Sequence, residues 1–219
     1  MTWFRCGVEP KPENYIYNIG ACAFNTGYVP KANTKVVMKA VPNIYNICSS
    51  WNYLFCANPN GNQTRWFSFA TPSGRPTFMR CTNSAVTGSY YYEQSGTDFI
   101  WFNVPQIFEF EGRTARWYRE EVPNEVNSLS MPDTVEIVDG LNTIALFAKN
   151  YDSNSGGYGI TDLGSMLLYY FDIYENDVLL HHFIPAYNNN QYCLYDKISN
   201  TYIYDTQNSG ANVKGFVSS

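Results

Sequence analysis

The sequence predicts an all-β protein, built as a two-sheet antiparallel β-sandwich. Three observations predict it. About a dozen short runs rich in Tyr, Phe, Ile, Val and Thr are separated by turn residues, mostly Asn, Asp, Gly and Pro. No stretch sustains the 3.6-residue periodicity of an amphipathic helix. Aromatic residues make up 17% of the 219 residues and charged residues only 15%. The interior can therefore be large, and Asn, Ser, Thr, Gln and tyrosine hydroxyls must solubilise the surface. A chain of this length fits one sandwich that buries roughly 70% of its unfolded surface.

In chain order, residues 1–14 read as a lead-in arm carrying Pro10, Pro12 and the apolar pair Trp3 and Phe4. Residues 15–219 read as one domain. The first strand is expected over 15–19, and a half-buried strand over 33–40 follows a Thr-Gly turn at Thr26 and Gly27. Residues 51–57 and 65–70 form a predicted hairpin around the polar turn 58–62. Further strands are expected over 77–81, 88–93, 98–104, 106–111 and 113–119, with Gly112 at a hairpin tip. Residues 124–132 look irregular, 134–138 and 143–147 look like strands, and 151–159 is a glycine-rich loop. Thr161 and Asp162 could cap a short helical turn over 159–164. Residues 167–204 read as an antiparallel meander: strands at 167–174, 178–184 (closed by Pro185), 192–195 and 202–204. The first and last strands are expected to lie near each other.

The string FDIYENDVLLHHFIPA, followed by a polar turn, LYDKISNTYIYD and a closing Gly-Phe, resembles the C-terminal part of concanavalin A-like, laminin-G-type jelly-roll domains. FNTGYVPKANTKVVMKA is similar to the strand-turn-strand that opens the same group, and NTIALFAKN resembles one of its core strands. The resemblance touches both ends of the chain in the right order. It implies a concanavalin A-like jelly roll of the kind found in tailed-phage structural proteins and in surface proteins of gut bacteria.

Charge and cysteine usage exclude several classes. The net charge is −5 with no Lys/Arg run, which argues against nucleic acid or an anionic membrane as partner. No stretch approaches the roughly 18 apolar residues of a membrane span, so no membrane insertion is expected. The start lacks a basic region followed by an apolar one, so no secretory signal is expected. The six cysteines are irregularly spaced with no C-x-x-C pair, which favours buried free thiols over a zinc site or a disulfide framework.

Catalysis finds little support. Glucanases on this fold carry an acidic strand of the form E-x-D-x-x-E, which sets carboxylates on one face. The nearest strings here are Glu109-Phe110-Glu111 and Glu136-Ile137-Val138-Asp139, and neither completes the triplet. His181 and His182 are adjacent, so on a strand they face opposite sides and cannot share a metal; they read as strand-edge residues without a site. No cofactor is expected; calcium is the one the residues would admit, through the hard oxygens of Asp152, Asn154 and Asp162, but their spacing matches no known calcium loop and an ordinary Asn/Ser/Gly turn is the favoured reading. Sugar stacking needs flat aromatic side chains beside polar groups, and the candidates are Trp51, Trp66, Trp101, Trp117 and Tyr158. The same residues would equally serve partner contact.

The resulting expectation is a non-catalytic structural or attachment protein of a phage virion, as a capsid decoration, head fibre or tail component. It would be assembled in the host cytoplasm and released by lysis. Its partners would be other virion proteins, copies of itself, or a host-surface glycan. The alternative is a carbohydrate-binding module at a bacterial cell surface, and a glycoside hydrolase is the third reading. Function is expected in loops and chain ends, with 167–204 as scaffold.

Overall fold

The computed structural model describes residues 14–19, 22–42, 53–57, 67–70, 76–79, 92–93, 100–101, 103–134, 136–153, 157–161, 164–207 and 210–218. Among these residues there is no helix. The first strands are β1 (Tyr15–Asn18), β2 (Phe24–Asn25), β3 (Thr34–Pro42), β4 (Tyr53–Ala57), β5 (Phe67–Ala70), β6 (Thr77–Met79) and β7 (Tyr92–Glu93). The middle of the chain gives β8 (Gln106–Glu111), β9 (Thr114–Arg119), β10 (Val126–Ser130), β11 (Ala145–Leu146), β12 (Lys149–Ser153) and β13 (Gly157–Thr161). The last are β14 (Met166–Glu175), β15 (Val178–Asn188), β16 (Gln191–Asp196), β17 (Thr201–Ile203) and β18 (Val213–Phe216).

They form two antiparallel sheets and a separate hairpin. The larger sheet runs β10-β9-β8-β3-β14-β15-β16-β17, with β1 joined to β14 and β18 joined to β1. The smaller runs β2-β11-β4-β5-β6-β7, and β12 pairs with β13 alone. β14 is the organising strand. It lies along β3 from Met166 to Glu175 on one side, and on the other meets β15 from Phe171 onward and β1 at Leu167 and Leu168. The first and last strands are paired, Tyr15 with Phe216 through Asn18 with Val213, so both ends of the domain close on the same seam.

The core lies between the two sheets. Phe55 of β4 meets Phe110 of β8 at 4.9 Å and Phe171 of β14 at 5.8 Å between ring centroids. Phe69 of β5 meets Phe108, Phe110 and Trp117 in the same way, at 5.6, 4.9 and 6.1 Å. Tilted and edge-on contacts of this kind add to the burial of large aromatic side chains. The sandwich is thus held by phenylalanines projecting inward at alternate positions of facing strands.

Several expectations are corrected. Residues 124–132 contain a strand, β10, on the open edge of the sheet, where only Leu129 of the five is buried. An edge strand with one face solvated needs no apolar run. Residues 151–159 are not a simple loop, since β12 and β13 pair there, and the same pairing (Lys149 with Thr161) excludes a helical turn at its start. The described parts of 98–104 and 134–138 belong to no strand, and Asn103 turns the chain with φ +61°. Pro185 does not end its strand. β15 runs on to Asn188, because past Phe183 it no longer pairs with β14 and the absent N–H is not needed on that side. Cys22, Cys56 and Cys193 are buried free thiols, as expected, and burial raises the Cys193 thiol to about 11. Cys6, Cys48 and Cys81 lie outside the described residues.

Candidate functional site

Because the phenylalanines of β8 and β14 point inward, their alternate residues point away from the core. Register then places chosen side chains in rows across the outer face of the larger sheet. One row is Arg116, Glu109, Val37, Asp172 and His182, on β9, β8, β3, β14 and β15 in turn. Beside it lies Tyr118, Ile107, Lys39 and Tyr170. On its other side lie Thr114, Glu111, Lys35 and Tyr174. A β-bulge between Leu168 and Tyr170 supplies one extra residue, Tyr169. Its ring lies 5.0 Å from the Lys39 ammonium and 6.3 Å from the Tyr15 ring. Two successive tyrosines therefore serve the outer face.

The polar groups of the central row orient one another. Arg116 Nη2 donates to Glu109 Oε2 at 2.7 Å, and the Tyr118 hydroxyl donates to Oε1 at 3.2 Å. His182 Nδ1 lies 2.5 Å from Asp172 Oδ1, and the Tyr174 hydroxyl donates to Oδ2 at 3.5 Å. A carboxylate only accepts, so Nδ1 carries a proton, and in the neutral ring Nε2 is left as an acceptor. The Tyr170 ring lies 6.3 Å from the His182 ring, and its hydroxyl has no hydrogen-bond partner among the described residues. Asp172 is held above the usual carboxylate range by burial, which the His182 hydrogen bond only partly opposes. Burial also raises the hydroxyls of Tyr170, Tyr118 and Tyr174, with the nearby Asp172 and Glu109 charges adding to it, so all three remain protonated donors.

One correction concerns the histidines. They are not at a strand edge: β15 lies inside the sheet, between β14 and β16. Each histidine also meets its own aspartate. His182 faces outward to Asp172. His181 faces the other way, with Nδ1 2.8 Å from Asp196 Oδ2 and its ring stacked on Phe183 and edge-on to Tyr28. Asp196 is a structural hub: it also accepts from the backbone N–H of His182 and Ile198 and from the Ser199 hydroxyl. Burial disfavours its charge, but these four hydrogen bonds prevail and bring it down to about 2.

Of the residues expected from the sequence, four lie among those described, Trp101, Trp117, Asp152 and Tyr158, and none of these four belongs to the outer row. Trp117 is fully buried against Phe69 and is no stacking surface. Trp101 packs on the core under the Arg119 guanidinium, 5.1 Å from its ring, and Arg119 in turn pairs with Glu125. Asp152 and Tyr158 are cross-strand partners in the β12–β13 hairpin. Trp51, Trp66, Asn154 and Asp162 lie outside the described residues. Among the described residues no group of three His, Cys, Asp or Glu side chains converges as a metal site. The sequence does carry a signal for the outer row: polar residues at every second position of β14 and β8, in Tyr170, Asp172 and Tyr174 and in Glu109 and Glu111.

No protein-family model and no curated protein matches the chain. Solved structures with a similar fold include the NanB sialidase from Streptococcus pneumoniae, at 15% identity and a TM-score of 0.45, matched over 72% of this chain and 25% of that one. The chain thus spans about a quarter of that sialidase. A heptameric SAP-like pentraxin from Limulus polyphemus matches at 12% identity and a TM-score of 0.43, over 74% of this chain and 75% of that one. The CBM40 of a Ruminococcus gnavus IT-sialidase, solved with α2,3 sialyllactose, matches at 13% and 0.42, over 72% and 85%.

Proposed function

We propose that the chain is a non-catalytic, lectin-like carbohydrate-binding module, and that it binds through the outer face of its larger sheet. The supporting observation is the row from Arg116 to His182, flanked by Tyr118, Tyr170 and Tyr174. A pyranose offers an apolar C–H face and a rim of hydroxyls. Half-buried tyrosine rings beside mutually oriented acceptors and donors match both. Glu109 is already bonded to Arg116 and Tyr118, and Asp172 to His182, which suits fixed acceptors better than a nucleophile and acid poised around one bond. A glycan array probed with the full chain and with Tyr170→Ala tests this. Binding by the parent that falls at least about tenfold in the variant is expected. Equal binding by both would contradict the site.

A virion setting is a second proposal. It rests on the sequence resemblance and on the exposed tyrosines Tyr187 and Tyr202 at the β15–β17 end, 55% and 44% exposed, which suit contact with neighbouring proteins. Mass spectrometry of purified phage particles tests it, and absence of the protein from them would refute it.

A further inference from the structure

We propose that this face selects neutral saccharides and rejects anionic ones. The inference rests on the carbohydrate-binding reading above and adds the class of ligand. Every lysine and arginine on β3, β8, β9, β14 and β15 is already ion-paired. Arg116 pairs with Glu109 at 2.7 Å, Lys35 with Glu111 at 3.4 Å, and Lys39 with Glu120 at 2.6 Å. Arg119 pairs with Glu125 below the Trp101 contact. Lys39 is also sealed, with 7% of its side chain exposed under Glu120 and Tyr169.

The three cations that these strands set on the outer face thus meet four carboxylates, Glu109, Glu111, Glu120 and Asp172, and the exposed Lys214 lies apart from them on β18. His182 does not change this. When neutral it is only a dipole, and when protonated its charge is matched by Asp172 at 2.5 Å. A sugar carboxylate or sulfate placed here would have to break an ion pair and then lie against the carboxylate it displaced. Like charges at such distances are a strong means of rejecting a ligand. The groups left unsatisfied instead suit hydroxyls: the Tyr170 hydroxyl and His182 Nε2, which have no partner among the described residues, and Asp172 Oδ2, whose one bond is long. Neutral sugar hydroxyls can donate to both acceptors and exchange a hydrogen bond with the tyrosine.

The test uses matched oligosaccharide pairs, the same chain with and without a terminal carboxylated or sulfated sugar, titrated against the whole protein. The neutral member should bind at least about tenfold more tightly. Glu109→Gln releases Arg116, and Glu111→Gln, at an exposed position, releases Lys35; at least one folded variant, judged by its thermal midpoint, should lose most of the discrimination. Equal or tighter binding of the anionic member by the parent overturns the inference while leaving the carbohydrate reading intact. Unchanged discrimination in both folded variants overturns its electrostatic cause. Binding of no member of any pair overturns the carbohydrate reading itself, and the inference with it.

Discussion

Asp172 and His182 face each other across neighbouring strands, with the imidazole Nδ1 2.5 Å from the carboxylate Oδ1. Burial raises the Asp172 carboxyl above its ordinary value of 3.8 despite that contact. A group whose folded value is raised adds stability below its unfolded value, and that contribution is lost as pH rises through the folded one. At neutral pH the ionised Asp172 is therefore no asset to the fold. Asp172→Asn should leave the thermal midpoint at pH 7 unchanged or higher, while glycan affinity falls about tenfold through loss of a charged acceptor. Calorimetric unfolding together with a binding titration checks both. A clear drop in midpoint would show that the pair serves the fold instead.

Asp196 has the opposite sign. Its carboxyl is lowered to about 2 against an ordinary 3.8, so its contribution is present above about 4 and is lost as pH falls through 2. Denaturant midpoints should fall between pH 4 and 2 in the parent, and fall less steeply in Asp196→Asn. The same variant at pH 7 should cost about 2 kcal/mol, because donors from His182, Ile198 and Ser199 lose a charged acceptor whose own side chain is buried. A pH-independent midpoint over that window would refute the assignment.

Trp117 and Tyr170 separate core from face. Trp117→Ala removes a fully buried side chain from the Phe69 contact and should cost about 3–5 kcal/mol. Tyr170 is only half-buried and lies on the outer face, so Tyr170→Ala should cost about 1 kcal/mol and act on binding. Chemical denaturation of the two variants side by side distinguishes these roles, and a reversal of the order would place the two rings wrongly.

Gly215 sits where β18 crosses β1. A Cβ there would press into the Tyr15 carbonyl oxygen and stand 3.1 Å from Ile16 Cα, and both of those are backbone atoms that cannot swing aside. Gly215→Ala should cost about 1–3 kcal/mol and speed amide exchange in the seam from Tyr15 to Asn18. Unaltered exchange there would show that β18 does not close the domain.

Much of this architecture is legible in the residues. The meander from β14 to β17 announces itself through its turns: Asn176, Asp177, Asn189, Asn190 and Asn200 all adopt positive φ, the conformation for which Asn and Asp are favoured. β10 is hidden because an edge strand with one buried residue has no apolar run to show. β12 and β13 are hidden because their Gly and Ser content imitates a loop. The site is harder still. Which of Tyr169, Tyr170 and Asp172 points outward depends on the bulge after Leu168, and a bulge leaves no mark in composition. His182 reads as a strand-edge residue because no local pattern in the sequence shows that β15 is flanked by a strand on each side. The pairing of each histidine with a separate aspartate follows from register alone, which only the folded chain reveals.

The most direct measurement is a titration of the isotope-labelled chain with the strongest glycan found on the array, followed by backbone and imidazole chemical shifts. The account predicts that the largest changes map to Glu109, Tyr118, Tyr170, Asp172 and Tyr174, together with the His182 Nε2 resonance. Changes confined to loops, to the β12–β13 hairpin or to the smaller sheet would contradict it.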